Sequence, residues 1–357
     1  MKAMGYYRNL PISDPESLVD LELPDPQPGP HDLLVEVHAV SVNPVDVKVR
    51  AGKAPEPGQP KVLGWDASGV VRAVGSDVTL FKPGERVWYA GSLLRPGTNS
   101  ELHLVDERLV GRMPQTLNFA EAAALPLTSL TAWELLFDRL GVPEGEAEAA
   151  VNVAANAAAN AAANAAAGPA QTLLVIGAAG GVGSILVQLA RKLTGLTVIG
   201  TASRPETVQW VTDLGAHHVI DHTKPLAEEL KRIGFPGVDL IASLNQTDRH
   251  FDQIVEAILP QGRVGLIDDP ELFDFRKLKA KSVSLHWELM YTRSMFSTKD
   301  QVRQHEILNR VASLIDSGVL RTTLNETLGP INAANLRRAH ALIETNRARG
   351  KIVLEGF

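Results

Sequence analysis

The sequence predicts a two-domain α/β protein, with a β-rich domain first and a doubly wound parallel sheet after it. Three observations carry that prediction. The chain has 357 residues, more than one ordinary core accommodates, so two domains are expected. Its apolar period changes near residue 125, from short alternating runs to helical spacing and then to strand–helix alternation. Finally, the apolar run "LLVIG" (Leu173–Gly177) collapses into "AAGGVGS", and an amphipathic stretch follows at once. A strand that turns through glycines into a helix opens a βαβ unit.

The elements follow in order. Asp32–Asn43 ("DLLVEVHAVSVN") alternates and is rich in Val, and Ala67–Gly75 and Glu85–Gly91 are short apolar runs. "PDPQPGPHD", "GKAPEPGQP" and "KPGE" punctuate them with Pro and Gly turns. Short strands between such turns suggest a barrel-like β domain. Asn118–Gly141 has helical spacing, interrupted by Pro126. Strands are then expected at Thr172–Ile176, Thr197–Thr201, His218–Ile220, Val238–Ala242, Arg263–Ile267 and Ser282–His286. Helices are expected at Gly181–Leu193, Glu206–Leu214, Pro225–Ile233 and His250–Leu259, which makes a parallel, doubly wound sheet. A long helix is expected at Lys299–Ile315, and the tail "RARGKIVLEGF" ends in a strand placed to rejoin the first domain. The domains read as 1–127 with 295–357, and 128–294. Within the second, 149–170 is an alanine tract with Asn every fourth residue, expected to form a helical insert that buries little and carries no chemistry.

Composition narrows the function. The chain is 45% hydrophobic and 21% charged, as in globular proteins. Its net charge of −6 comes without a basic stripe, which argues against nucleic acid or an anionic membrane as partner. There is no cysteine, so disulfides, thiolate nucleophiles and Cys-ligated metals are excluded. The N-terminus lacks an apolar signal core, and no apolar run reaches the ~20 residues of a membrane span. A cytoplasmic protein acting on a small molecule is expected.

The glycine cluster has the chemistry of a phosphate cradle. Gly180 leaves no side chain between backbone and pyrophosphate, and Gly183 lets the helix pack closely on the strand. Gly181 and Val182 stand in the first helical turn, whose free N–H groups and partial positive charge suit an anion. Ala178 replaces the first glycine of GxGxxG, with Gly177 just before it. The alternative is a turn whose glycines serve packing alone. The acid that would bind a ribose 2′-hydroxyl is missing: Ala202 stands there, followed by Ser203 and Arg204. A forked guanidinium beside a hydroxyl suits a 2′-phosphate, so NADPH is the expected cofactor. The alternative for Arg204 is a solvated surface charge.

With these motifs in place, the chain resembles the medium-chain dehydrogenase/reductase superfamily, closest to its quinone oxidoreductase (zeta-crystallin-like) branch, in the subgroup labelled zinc-type alcohol dehydrogenase-like. "SVNPVDVKVRAG", "VLGWDASGVVRAVG", "FKPGERV", "EAAALPLTSLTAWELL", "GAAGGVGS", "LGAHHVIDH", "PQGRVGLID" and "GKIVLEGF" fall in the family's order. The resemblance implies a GroES-like barrel beside the Rossmann sheet, and a homodimer. It also bears on metal. The zinc-dependent members place Cys where this chain has Asn43, His and Glu at Trp65-Asp66, and a second Cys around Leu127. No zinc is therefore expected.

Without a metal, fixed hydrogen-bond donors must stabilise the charge that hydride transfer builds on an acceptor oxygen. Asn43 is the candidate donor, against a turn residue before Pro44; Asp46 either orients it, relays a proton, or caps the helix. The branch's tyrosine is missing, since Val47 and Val49 occupy that region, and no proton donor is evident. Thr131 matches a family position near the nicotinamide, or else bonds its own helix backbone. Leu266 and Ile267, in "GLID", end a strand at the carboxyl edge and are expected to offer backbone to the carboxamide. Lys351 either touches the cofactor or is a surface charge. Leu285–Phe296 is dense in aromatics and Met, as core or dimer packing or as a substrate lid. Together these predict a zinc-independent NADPH oxidoreductase reducing a quinone or an α,β-unsaturated carbonyl. The alternatives are a zinc-type alcohol dehydrogenase and a catalytically idle NADPH-binding protein.

Overall fold

A computed structural model describes residues 1–145 and 170–357. The Ala/Asn tract lies, apart from Ala170, outside the described residues. The chain divides into two compact units, Met1–Leu130 with Met290–Phe357, and Thr131–Leu289. Both boundaries differ by a few residues from those read in the sequence. Among the described residues no helix is long and apolar enough to cross a membrane.

The first unit is built on a seven-stranded sheet. Six strands run in the order Leu324–Thr327, Lys351–Glu355, Asp32–Val42, Ala67–Val74, Arg86–Tyr89 and Val110–Arg112, and Leu102–Asp106 pairs with Asp32–Val42 off that path. Asp32–Val42 points Leu33, Val35 and Val37 inward in strict alternation, and from Ala39 on every residue is buried. That change from one-sided to full burial marks where the strand enters the interior. The tail strand Lys351–Glu355 runs antiparallel to it, with Ile352 opposite Val42, so residues some 300 apart in sequence become neighbours. A smaller sheet pairs Lys2–Tyr6 with Val19–Glu22 and Lys61–Val62.

The expected helix across Asn118–Gly141 is three helical pieces: Phe119–Ala123, Pro126–Trp133 and the π-helical Glu134–Arg139. Local chemistry sets the break. Asn118 accepts from the Glu121 N–H at 2.8 Å while the Glu121 carboxylate accepts from the Asn118 N–H at 3.0 Å, a reciprocal cap that starts the first piece. Pro126 ends it and opens the next, at the position where its missing N–H costs nothing.

The second unit is a six-stranded parallel sheet in the order His218–Ile220, Thr197–Thr201, Thr172–Ile176, Val238–Ser243, Ile258–Leu266 and Ser284–Trp287. Written in chain order this is 3-2-1-4-5-6, the dinucleotide-binding arrangement. Leu174, Ile199, Ile241 and Val264 lie opposite one another on one face of the sheet and pack there with Phe251, and the alternate residues Leu173, Val175 and Val198 are buried on the other face. The fifth strand begins at Ile258, before the expected Arg263. Pro260, Gln261 and Gly262 look like a turn, and Gln261 does take a positive φ of 63°; the pairing absorbs them through a register shift between Val238 and Leu240.

Candidate functional site

In the second unit, the glycine turn follows the central strand Thr172–Ile176, which lies between Thr197–Thr201 and Val238–Ser243. Successive strands are added to one side of it first and then to the other, and ligands of such folds bind at the carboxyl edge of that switch point. The glycines have different reasons to be glycine. Gly177 adopts φ +83°, and its N–H donates to Thr201 Oγ1 at 3.1 Å. A Cβ on Gly183 would stand 2.4 Å from the Gly177 carbonyl and 2.6 Å from Ala178 Cα, so close packing of helix on turn forbids it. A Cβ on Gly180 would meet no protein atom nearer than 3.4 Å, at an ordinary φ of −74°. Neither packing nor a positive φ therefore requires a glycine at Gly180. Gly181 and Val182 are half-buried in the first turn of Gly181–Leu193, where N–H groups have no intrahelical acceptor.

Ala202 is buried, Ser203 exposed, and Arg204 partly exposed with Nε 3.5 Å from Glu206 Oε1. Thr207 Oγ1 accepts from the Arg204 N–H at 3.3 Å and donates to the Arg204 carbonyl at 2.8 Å. This pins the backbone at the start of Pro205–Asp213. Thr131 is the first residue of this unit, in the helix Pro126–Trp133 and 6% exposed. At the carboxyl edge, Ser243 Oγ and Thr247 Oγ1 lie 2.8 Å apart, and Asp268 accepts from the Thr247 N–H and hydroxyl at 2.8 and 2.6 Å. The Leu266 carbonyl accepts from the Glu288 N–H at 2.8 Å. Ile267 follows, half-buried, where the strand has ended.

The first unit holds a buried polar cluster. Asn43 is 2% exposed and begins the helix Pro44–Gly52: its N–H donates to Asp46 Oδ2 at 2.8 Å and its carbonyl accepts from the Asp46 N–H. The amide Nδ2 donates to Asp66 Oδ2 at 2.8 Å and to the Ser41 carbonyl at 3.3 Å, and Oδ1 accepts from Lys351 Nζ. Asp66, fully buried, also accepts from the Leu127 N–H at 2.7 Å and from Lys351 at 3.1 Å. Burial pushes the Asp66 carboxyl up, with Lys351 and the donated N–H groups opposing. Burial likewise raises Asp46 to about 7, against its bonds from backbone N–H groups and the attraction of Lys351. Asp46 Oδ1 and the Tyr291 hydroxyl are buried with no hydrogen-bond partner among the described residues. Burial, then the Asp46 and Asp66 carboxylates, holds the Tyr291 hydroxyl well above its ordinary value.

One sequence assignment changes. Lys351 is not a surface charge: it is 3% exposed, and its three donors go to Val42 O, Asn43 and Asp66. Both amide hydrogens of Asn43 are engaged. Asp66, met in the sequence only as the occupant of a metal-ligand position, is the hub, and Tyr291 was embedded in an aromatic run with nothing to single it out. Two opposite charges inside apolar runs, "GWDASG" and "KIVLEG", were the available signal for the pair.

The residues do not fit zinc. At the ligand positions, Leu127 has no donor atom and Trp65 has only an N–H, which donates to the Ser92 carbonyl at 3.2 Å. Asp66 could ligate, but Lys351 and two N–H groups occupy it. Among the described residues, no three His, Asp or Glu side chains converge as a metal site.

Comparison with known proteins gives two family matches: the alcohol dehydrogenase GroES-like domain over residues 29–126, and zinc-binding dehydrogenase over residues 214–354. A zinc-type alcohol dehydrogenase-like protein of Staphylococcus epidermidis is 34% identical, with 99% of each chain covered. A crystal structure from Rhizobium etli, provisionally named a zinc-dependent alcohol dehydrogenase, is 56% identical with a TM-score of 0.91, covering 100% of this chain and 98% of that one. The Escherichia coli quinone oxidoreductase, solved in complex with NADPH, is 26% identical with a TM-score of 0.79, covering 99% of both.

Proposed function

The chain belongs to the medium-chain dehydrogenase/reductase superfamily, in its zinc-type alcohol dehydrogenase-like branch, and on that premise we propose that it is a zinc-independent, NADPH-dependent reductase of quinones or α,β-unsaturated carbonyls. The observation that carries this is the turn Gly177–Gly180: a strand-to-helix turn at the sheet's switch point, with a glycine at Gly180 that neither packing nor a positive φ requires. Gly180, Gly181, Val182 and Gly183 would hold the pyrophosphate on the helix N-terminus. Ser203 and Arg204 would take the 2′-phosphate, Arg204 exchanging its contact with Glu206 for it. Thr131, Leu266 and Ile267 would border the nicotinamide end.

When bound, the reduced cofactor supplies the hydride. The protein's part is to stabilise the negative charge on the acceptor oxygen and to hold a proton for it. Asn43 would do the first. Its Nδ2–H on Ser41 O, at 3.3 Å, is the longer of its two bonds and the one exchanged for an acceptor oxygen. Asp46, raised to about 7, retains a proton near neutrality and would do the second. The exclusion of bulk water from these residues strengthens each interaction. The likeness to a quinone oxidoreductase solved with NADPH supports the cofactor and the acceptor class. NADPH consumption against a panel of quinones, enones, enals and simple ketones tests the proposal. Turnover on the first three classes is expected; tight NADPH binding with no turnover on any would contradict it and favour an idle binding protein.

A further inference from the structure

The pair Lys351–Asp66 needs an explanation that stability does not provide. Both side chains are within 3% of complete burial. Removing two charges from water costs several kcal/mol each, and well-packed apolar replacements of such pairs are often no less stable. Yet the pair is fully built. Each donor of the ammonium has an acceptor: Val42 O at 3.2 Å, Asn43 Oδ1, and Asp66 Oδ2 at 3.1 Å. Asp66 collects Leu127 N–H, Asn43 Nδ2 and Lys351. The ammonium thus contacts Asn43 and Asp66, two of the positions that the family resemblance assigns to metal ligands, and Asp66 ties in a third, Leu127, through its N–H.

We infer that Lys351 is the resident cation of this centre, with Asp66 as its counter-charge and Asn43 as the group through which it acts. A cation on the amide oxygen draws charge from the amide nitrogen and makes its N–H a stronger donor. Lys351 is therefore a positioning and polarising residue. The ladder explains how the charge arrives: Ile352 pairs with Val42, which sets the first residue of the tail strand against the residue that follows Val42. Only the action through Asn43 rests on the reductase proposal; the cation assignment does not.

The test uses the full chain and a readout that needs no acceptor. Lys351→Ala removes the ammonium and leaves its three oxygen acceptors in place. The thermal midpoint should fall by several degrees. Methylammonium chloride should recover part of the loss, sodium chloride at equal ionic strength should not, and wild-type protein should show no such difference between the salts. An equal response of the variant to both salts would overturn the cation assignment. If Lys351→Ala does not fold, Lys351→Met is compared with Lys351→Met/Asp66→Asn. Removing the stranded carboxylate must make the double variant more stable than the single one, and the reverse order would overturn the pairing. With an active acceptor in hand, the double variant should keep its NADPH affinity while kcat falls roughly 100-fold. Wild-type kcat in a folded double variant would overturn the action through Asn43. Failure of wild-type turnover would count against the reductase proposal and leave the salt experiment valid.

Discussion

The amide of Asn43 lies between the carboxylate of Asp66 and the ammonium of Lys351, donating to one at 2.8 Å and accepting from the other. That arrangement fixes which end of the amide is the donor. Asn43→Ala should lower turnover about 10²–10³-fold, the usual cost of one oxyanion donor. It should also cost ~1–3 kcal/mol of stability, because Asp66 loses an N–H and Lys351 an acceptor. NADPH affinity should change little. Single-turnover hydride transfer and thermal melting on the same variant check this. Asn43→Asp should not restore turnover, since it adds a third carboxylate beside Asp46 and Asp66.

The two glycines of the turn should fail differently. Gly183→Ala puts a Cβ 2.4 Å from the Gly177 carbonyl and should cost ~1–3 kcal/mol by overpacking. Gly180→Val should stay within ~1 kcal/mol of wild type, as at an ordinary helix cap, while losing NADPH and NADH together. Melting curves with and without each cofactor separate them. Normal NADPH binding by folded Gly180→Val would remove the cradle.

Arg204→Ala should weaken NADPH binding by ~1.5–3 kcal/mol, the range for hydrogen bonds to charged groups, and leave NADH nearly unaffected. Glu206→Gln should act oppositely, since Glu206 competes for the same guanidinium at 3.5 Å. Titrations of both cofactors on both variants decide. An unchanged NADPH/NADH ratio in Arg204→Ala would make Arg204 a surface charge.

Asp46 should leave a signature in the pH dependence of stability. Its folded value of about 7 lies above the ordinary carboxylate value, so between about pH 4 and 7 the folded state holds a proton that the unfolded state has lost. Its contribution is therefore most favourable in acid and declines as pH rises through that window. Asp46→Asn removes the titration, and its Oδ1 can still accept from the Asn43 N–H. The melting temperature of Asp46→Asn relative to wild type should rise from pH 5 to pH 8. A flat difference would contradict the raised value.

Much of the fold was legible because local pattern and final environment agree. Thr172–Ile176, Thr197–Thr201 and Gly181–Leu193 have the bounds read from periodicity, because apolar runs between glycines leave one consistent choice. The fifth strand was read short because Pro260, Gln261 and Gly262 carry turn chemistry that sheet pairing overrides. At the site, Asn43 and Asp46 were legible from sequence, being local to one helix start. The Asp66–Lys351 pair was not, since its members stand 285 residues apart and meet only because Lys351–Glu355 pairs with Asp32–Val42, and neither end has a local pattern that names its partner. Tyr291 was hidden for the same reason: its surroundings come from residues far away in the chain.

The most direct measurement of the central claim is acceptor-dependent NADPH oxidation by chelator-treated protein, with zinc assayed in the same sample. Turnover of a quinone or enone is expected at far less than one zinc per chain, unchanged when zinc is added back. Turnover that disappears with the chelator and returns with stoichiometric zinc would contradict it.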